Sequence, residues 1–326
     1  MRTQAIDKAR QMGNARRVRA LAGAVGVVAP VVIALQPPIA AAQNLFFGSV
    51  GFGGSQEALY TTDLDGNGLK NILPAPGWVT GVAADGAARL VFWKDHSTGS
   101  TTLNAATLTG GSHAVIATTT GGIYGVAVDR INARVYWSDG VGIRSSNHDG
   151  TGSMTVLASA NTDDVEVDPT AGKVFWTTRS SGGSSNTLHV ANLDGTNPQA
   201  LVTLPSATII SGLTLDTITR TVFWSDYMAG TVSSMPYVGG SPSVLLSGHP
   251  FVAGLEYEQT TNRLYIVRSG AAAVSWMHPA GGPLADVFIG SGSTYGEMWD
   301  IAAVVPAPGS LALLGCGSLI ALRRRR

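Results

Sequence analysis

The sequence predicts an all-β protein built from repeated four-stranded sheets, and three observations carry that prediction. The 326 residues include 41 glycines and only 13% charged residues. Gly in company with Ser, Thr and Val marks short strands joined by tight turns. A line then recurs along the chain: "GVAADGAARLVFWKD", "GVAVDRINARVYWSD", "DVEVDPTAGKVFWTT", "GLTLDTITRTVFWSD" and, more weakly, "GLEYEQTTNRLYIVR". Its Trp positions are spaced by 44, 39 and 48 residues, and by 42 more to Ile266 in the weak copy. After each line an aliphatic residue precedes a glycine by seven, as in Leu59 and Gly66, Leu103 and Gly110, and Leu188 and Gly195. A period of about 40–45 residues holding four strands is a propeller blade.

The chain opens with a basic stretch, the apolar run "ALAGAVGVVAPVVIAL" and the exit "PPIAAAQN". That order predicts a secretory signal over 1–42, cleaved after Ala42. A retained membrane anchor is the alternative, disfavoured by Pro30 and the Ala-rich exit. Residues 43–304 are the expected propeller. Five repeats are complete, from about 79 to 296. The piece "LFFGS…ALYTTDLDG…KNIL" supplies three strands of a sixth, and "DIAAV" at 300–304 supplies its first strand. Six blades result, with the chain's two ends sharing one. Such closure would remove the free edges that invite aggregation.

Within a repeat the four strands read "GVAVD", "RVYWSD", "GIRSSNHDG" and "MTVLA". The second is apolar at successive positions, as a strand buried on both faces must be. Trp93, Trp137, Trp176 and Trp224 are therefore expected between blades. Asp85, Asp129, Asp168 and Asp216 each precede a Trp by eight and close the first strand, where an Asp bonds its own backbone two residues on. "DLDGNG" at 63–68 has the alternating carboxylates of a calcium loop in Asp63, Asp65 and Asn67. The twelfth position is Pro74 where a bidentate Glu belongs. The stretch is also in register with "NHDG" and "NLDG", so a hairpin turn is the expected role.

The lines "VYWSD" and "VFWSD", with upstream "GVAVD" and downstream "NLDG", resemble the YWTD repeat of low-density-lipoprotein-receptor class B propellers. The resemblance covers about 45–304 and implies six blades. The tail "VPAPGSLALLGCGSLIALRRRR" resembles a PEP-CTERM sorting signal. In it Pro306-Ala307-Pro308 stands for Pro-Glu-Pro, followed by an apolar segment and Arg323, Arg324, Arg325 and Arg326. That likeness implies 305–326 as a sorting tail, a transient anchor in the inner membrane, processing by an exosortase-like enzyme after passage through the export machinery, and a place in the cell envelope or outside the cell. Apolar targeting helices would flank the propeller on both sides.

Function classes narrow by what is missing. A net charge of zero leaves no electrostatic footprint for nucleic acid. The single cysteine, Cys316, can form no internal disulfide. The six histidines show no metal-ligand spacing, and no GxSxG, CxxC or phosphate-cradling loop occurs. No cofactor is implied. The inner strands would line a central channel, with positions one, three and five on one face. Glu166 and Glu256 then point into it, and Asp163, Asp164 and Asp168 gather at one mouth. Solvated channel lining is the plain reading, and a weak cation or ligand site the sharper one. The expectation is an exported, non-catalytic propeller that binds a protein or glycan ligand or plays a structural part. The alternative is a metal-dependent propeller hydrolase or lyase with its site in the channel.

Overall fold

Successive hairpins carry the chain of this computed structural model outward from a central axis six times. The structure describes residues 44–50, 58–74, 78–96, 101–119, 121–179, 185–205, 207–290 and 297–304. All of them belong to one compact unit. The targeting helices expected at the two ends fall outside the described residues. Among the described residues no helix is long and apolar enough to cross a membrane.

The described residues form 24 strands in six four-stranded sheets. The first blade takes β1 (Asn44–Val50), β2 (Ala58–Asp63) and β3 (Lys70–Pro74) from one end of the chain. The second takes β4 (Val79–Asp85), β5 (Leu90–Asp95), β6 (Thr101–Thr107) and β7 (Ala114–Thr119). The third takes β8 (Val126–Asp129), β9 (Arg134–Ser138), β10 (Gly142–Asn147) and β11 (Met154–Ala158). The fourth takes β12 (Thr162–Asp168), β13 (Lys173–Arg179), β14 (Ser185–Asn192) and β15 (Gln199–Thr203). The fifth takes β16 (Ile210–Asp216), β17 (Thr221–Asp226), β18 (Thr231–Pro236) and β19 (Ser243–Leu246). The sixth takes β20 (Val252–Glu258), β21 (Arg263–Arg268), β22 (Ala273–Met277) and β23 (Ala285–Ile289). The last strand, β24 (Glu297–Ala303), returns to the first sheet in the order β24-β1-β2-β3 and pairs antiparallel with β1, Leu45 facing Ala303.

The core lies between the blades. Six apolar clusters occupy six gaps, each drawing on two neighbouring sheets, including the gap between the sixth sheet and the first. The second strand explains its own composition here. Trp93, Trp176 and Trp224 pack toward the preceding blade. The Phe before each, at 92, 175 and 223, packs toward the following one. Trp93 is 0% exposed and the other three repeat tryptophans are as well buried.

Two recurrent turn devices set the blades. Asp85 Oδ1 accepts from the Ala87 and Ala88 N–H groups, Asp129 Oδ1 from Ile131 and Asn132, and Asp216 Oδ1 from Ile218 and Thr219. Asp168 does the same through Ala171. These carboxylates cap the first hairpin of their blades. The glycine of each outer turn lies against the outermost strand of the preceding blade. A Cβ on Gly66 would fall 2.0 Å from the Val287 carbonyl, on Gly110 1.9 Å from Ile72, and on Gly195 2.0 Å from Val156. Each also has φ between +83° and +88°, which glycine adopts without strain.

Candidate functional site: the channel and its mouth

The channel is lined by the inner strands, whose motif begins with glycine because these strands approach closely. A Cβ at Gly125 would meet Asp164 Oδ1 at 2.5 Å, and one at Gly212 the Ala253 carbonyl oxygen at 2.5 Å. Midway along, Glu166 and Glu256 line one cavity of about 80 Å³ together with Arg130, Thr214 and Tyr257. Glu256 Oε1 accepts from the Ala303 N–H at 3.1 Å. Arg130 donates to the carbonyls of Ala84 and Ala303. Burial, followed by the Glu256 and Asp164 charges, holds the Glu166 carboxyl well above the usual range. Burial pushes Glu256 up to about 7, against the pull of Arg130 and of the Ala303 N–H.

At the end where the inner strands begin, the channel widens into a cavity of about 540 Å³. Its wall includes Trp78, Lys94, Tyr124, Asp163, Asp164, Arg179 and Asp300. Asp300 Oδ2 accepts from the Val82 N–H at 2.9 Å and Oδ1 from Ile301 at 2.9 Å, so one side chain ties the first blade to the second. Burial raises its carboxyl to about 6. Burial and the Asp300 charge raise Asp164 well above its ordinary value, while Asp164 Oδ1 accepts from the Val165 N–H. Burial lowers the Lys94 ammonium, against the raising effect of Asp163, Asp164 and Asp300, and its Nζ donates to the Tyr124 carbonyl. Ser138 and Ser225, at the same repeat position, donate likewise to the Asp163 and Ala253 carbonyls of their next blades. Arg179 pairs with Asp163 at 2.6 Å, and its guanidinium lies 4.7 Å from the Tyr124 ring centre.

The residues singled out in the sequence divide accordingly. Glu166 and Glu256 share the channel cavity, and Asp164 lies above them in the mouth. Asp168 does not join Asp163 and Asp164. Seven residues of extended strand run from Thr162 to Asp168, which puts it at the far end of β12, buried as a turn cap. Asp63 Oδ1 accepts from the Asp65 and Asn67 N–H groups, closing the turn on itself, and Asp65 pairs with Arg263 at 2.7 Å. Among the described residues no group of three or more His, Cys, Asp or Glu is arranged to hold a metal ion. Pro306, Pro308 and the four terminal arginines lie outside the described residues. Sequence reading passed over Lys94, Asp300 and Trp78. The signal was in the repeat alignment: Lys94 stands where the other blades with the repeat Trp have Ser or Thr, and Asp300 where most have Gly.

The raised channel carboxyls make a testable sign. A carboxyl near 7 in the folded state and about 4.3 unfolded takes up a proton on folding between those values. Its stabilising effect is complete below the unfolded value and is lost as pH rises through about 7. Glu256→Gln should therefore leave stability nearly unchanged at pH 4 and raise it by roughly 1–3 kcal/mol at pH 8. The half-buried histidines His96, His148 and His189 slope the other way, since burial lowers each, but they are common to both proteins and cancel. Chemical denaturation across that range reads the difference, and a pH-independent difference would contradict the channel assignment of Glu256.

Fold and channel together define an all-β, six-bladed propeller of four-stranded blades. No family model matches the chain. Among solved structures it is similar to a chain of a nidogen/laminin complex, with a TM-score of 0.69, 21% identity, and coverage of 81% of this chain and 98% of that one. It is also similar to TolB from Acinetobacter baumannii, with a TM-score of 0.66, 14% identity, and coverage of 81% and 67%. At such identities the likeness is one of fold. A curated relative, protein cueball of Drosophila erecta, is 25% identical over 148 residues, 42% of this chain. The matched region spans only 22% of cueball's length.

Proposed function

We propose that this chain is an exported, surface-sorted binding propeller without catalytic activity, and that its ligand docks at the channel mouth. The observation that carries the reading is how the mouth and channel carboxylates are used. Asp164, Asp300 and Glu256 each accept backbone N–H groups of the inner strands, with Asp300 and Glu256 bridging from one blade to the next. An oxygen already holding a backbone N–H keeps a lone pair for one hydrogen bond from a ligand, but is poorly free to close around a metal ion. What remains accessible at the mouth is a concave, part-aromatic surface of the kind that binds ligands. A propeller of the same architecture in a nidogen/laminin complex supports a protein ligand.

Export and sorting rest on the order of parts in the sequence: basic stretch, apolar run and small-residue exit at 1–42, then Pro306, Pro308, apolar segment and Arg323–Arg326 at the other end. On this reading the ring is closed by the shared first blade, and the tail holds the chain transiently at the inner membrane until an exosortase-like enzyme processes it. The test is capture of a ligand from the source cells' envelope and medium by wild type and by Trp78→Ala, alongside elemental analysis of the purified chain. The expected result is capture lost in the variant and no stoichiometric metal. Capture indifferent to Trp78, or one tightly held divalent ion per chain, would sink the proposal and favour the metal-dependent enzyme.

A further inference from the structure

The regularity of the repeat makes its exceptions visible. At the opening glycine position of the inner strand, four blades carry Gly81, Gly125, Gly212 and Gly254, while the fourth and first carry Asp164 and Asp300. At the position after the Trp, Ser138, Thr177 and Ser225 give way to Lys94 in the second blade. These three departures come from three different blades and converge on one cavity. Trp78 belongs to its wall and is 42% exposed. Thr80 belongs to it too, and its Oγ1 is buried without a hydrogen-bond partner.

We infer that the mouth takes a cationic group of its ligand, the ammonium or guanidinium of a basic side chain on a protein partner, seated between Asp164 and Asp300 with its apolar stem against Trp78. This rests on the mouth being the binding site. Charge balance sets the sign. The residues lining the mouth and the channel cavity bring five carboxylates, Asp163, Asp164, Asp300, Glu166 and Glu256, against three cations. All three cations are committed: Arg179 to Asp163, Arg130 to two carbonyls, and Lys94 to the Tyr124 carbonyl. Burial favours the protonated form of Asp164 and Asp300, and a cation entering beside them lets them ionise and pair with it, whereas an anion gains nothing there. An indole face adds attraction for the same sign of charge. The unpartnered Thr80 hydroxyl oxygen supplies an acceptor for one of the incoming N–H groups.

The test titrates the purified full chain, by calorimetry, with three short capped peptides that differ at one central residue: lysine, its neutral isostere norleucine, or glutamate. The lysine peptide is expected to bind, the norleucine peptide at least tenfold more weakly, and the glutamate peptide without detectable heat. Asp300→Asn should weaken the lysine peptide at least tenfold and Trp78→Ala severalfold. Should Asp300→Asn fail to fold, Asp164→Asn carries the same tenfold expectation, and Trp78→Ala its severalfold one. Equal affinity for lysine and norleucine, no binding of lysine at millimolar concentration, or indifference to the variants would overturn the inference. If ligand capture still depended on Trp78 in that event, the mouth would stand as a binding site with a different chemistry. Loss of both would remove the binding reading itself.

Discussion

Deleting residues 297–304 abolishes the cooperative thermal transition of this protein, whereas deleting 305–326 leaves it unshifted. The reason lies in what β24 holds. Met298, Ile301, Ala302, Ala303 and Val304 are at most 3% exposed and divide between the clusters on either side of the first blade. Burial of those side chains contributes roughly 6–10 kcal/mol, comparable to the whole stability of about 5–15 kcal/mol expected for a domain. The same strand carries Asp300, which receives the Val82 N–H, and Ala303, whose two backbone groups engage Glu256 and Arg130. Losing it uncovers β1 and leaves buried polar groups without partners. The sequence after Val304 lies outside the described residues and reads as a proline-punctuated linker, which is why its removal is expected to leave the melt unshifted. A cooperative, unshifted melt without 297–304 would mean that the first blade stands on three strands.

Gly195→Ala is expected to destabilise the fold by roughly 3 kcal/mol. Two effects add. The residue has φ +83°, where an L side chain is strained. Its Cβ would also fall 2.0 Å from the Val156 carbonyl oxygen and 3.2 Å from Leu157 Cβ, so the outer turn of the fourth blade must lift from the third. Gly239 is an internal control. Its φ is +86°, but a Cβ there meets nothing closer than 3.9 Å. Gly239→Ala should therefore show the backbone cost alone, about 1 kcal/mol. Urea melts of the two variants separate these contributions, and equal losses would show that blade contact plays no part.

Much of this architecture was legible in one chain because propeller repeats expose their constraints many times over. The Trp line signals a strand apolar on both faces, and the structure shows why: Trp93 and Phe92 face opposite neighbours. The aliphatic-to-glycine spacing marked a turn, and that turn proved to be the place where one blade rests on the last. Asp85, Asp129 and Asp216 read as turn caps from their position alone. The mouth was harder to read. Lys94 looks like one more polar residue after a Trp until its ammonium is followed across to the Tyr124 carbonyl of the next blade. Asp300 sits in the least regular repeat, and its meaning depends on Val82, 218 positions away in sequence. Asp164 and Asp168 share a strand and a motif yet occupy opposite ends of the channel wall. Position along an extended strand, more than proximity in sequence, decides which side chains meet.

The binding reading is tested most directly by hydrogen–deuterium exchange on the protein with and without its captured ligand. Protection is expected where the inner strands begin, at 78–80, 123–125, 162–164 and 209–211. The turns at the other end of the channel, 130–133 and 217–220, should exchange as before. Protection confined to those far turns or to the outer strands β7, β11 and β19 would contradict a ligand site at the mouth.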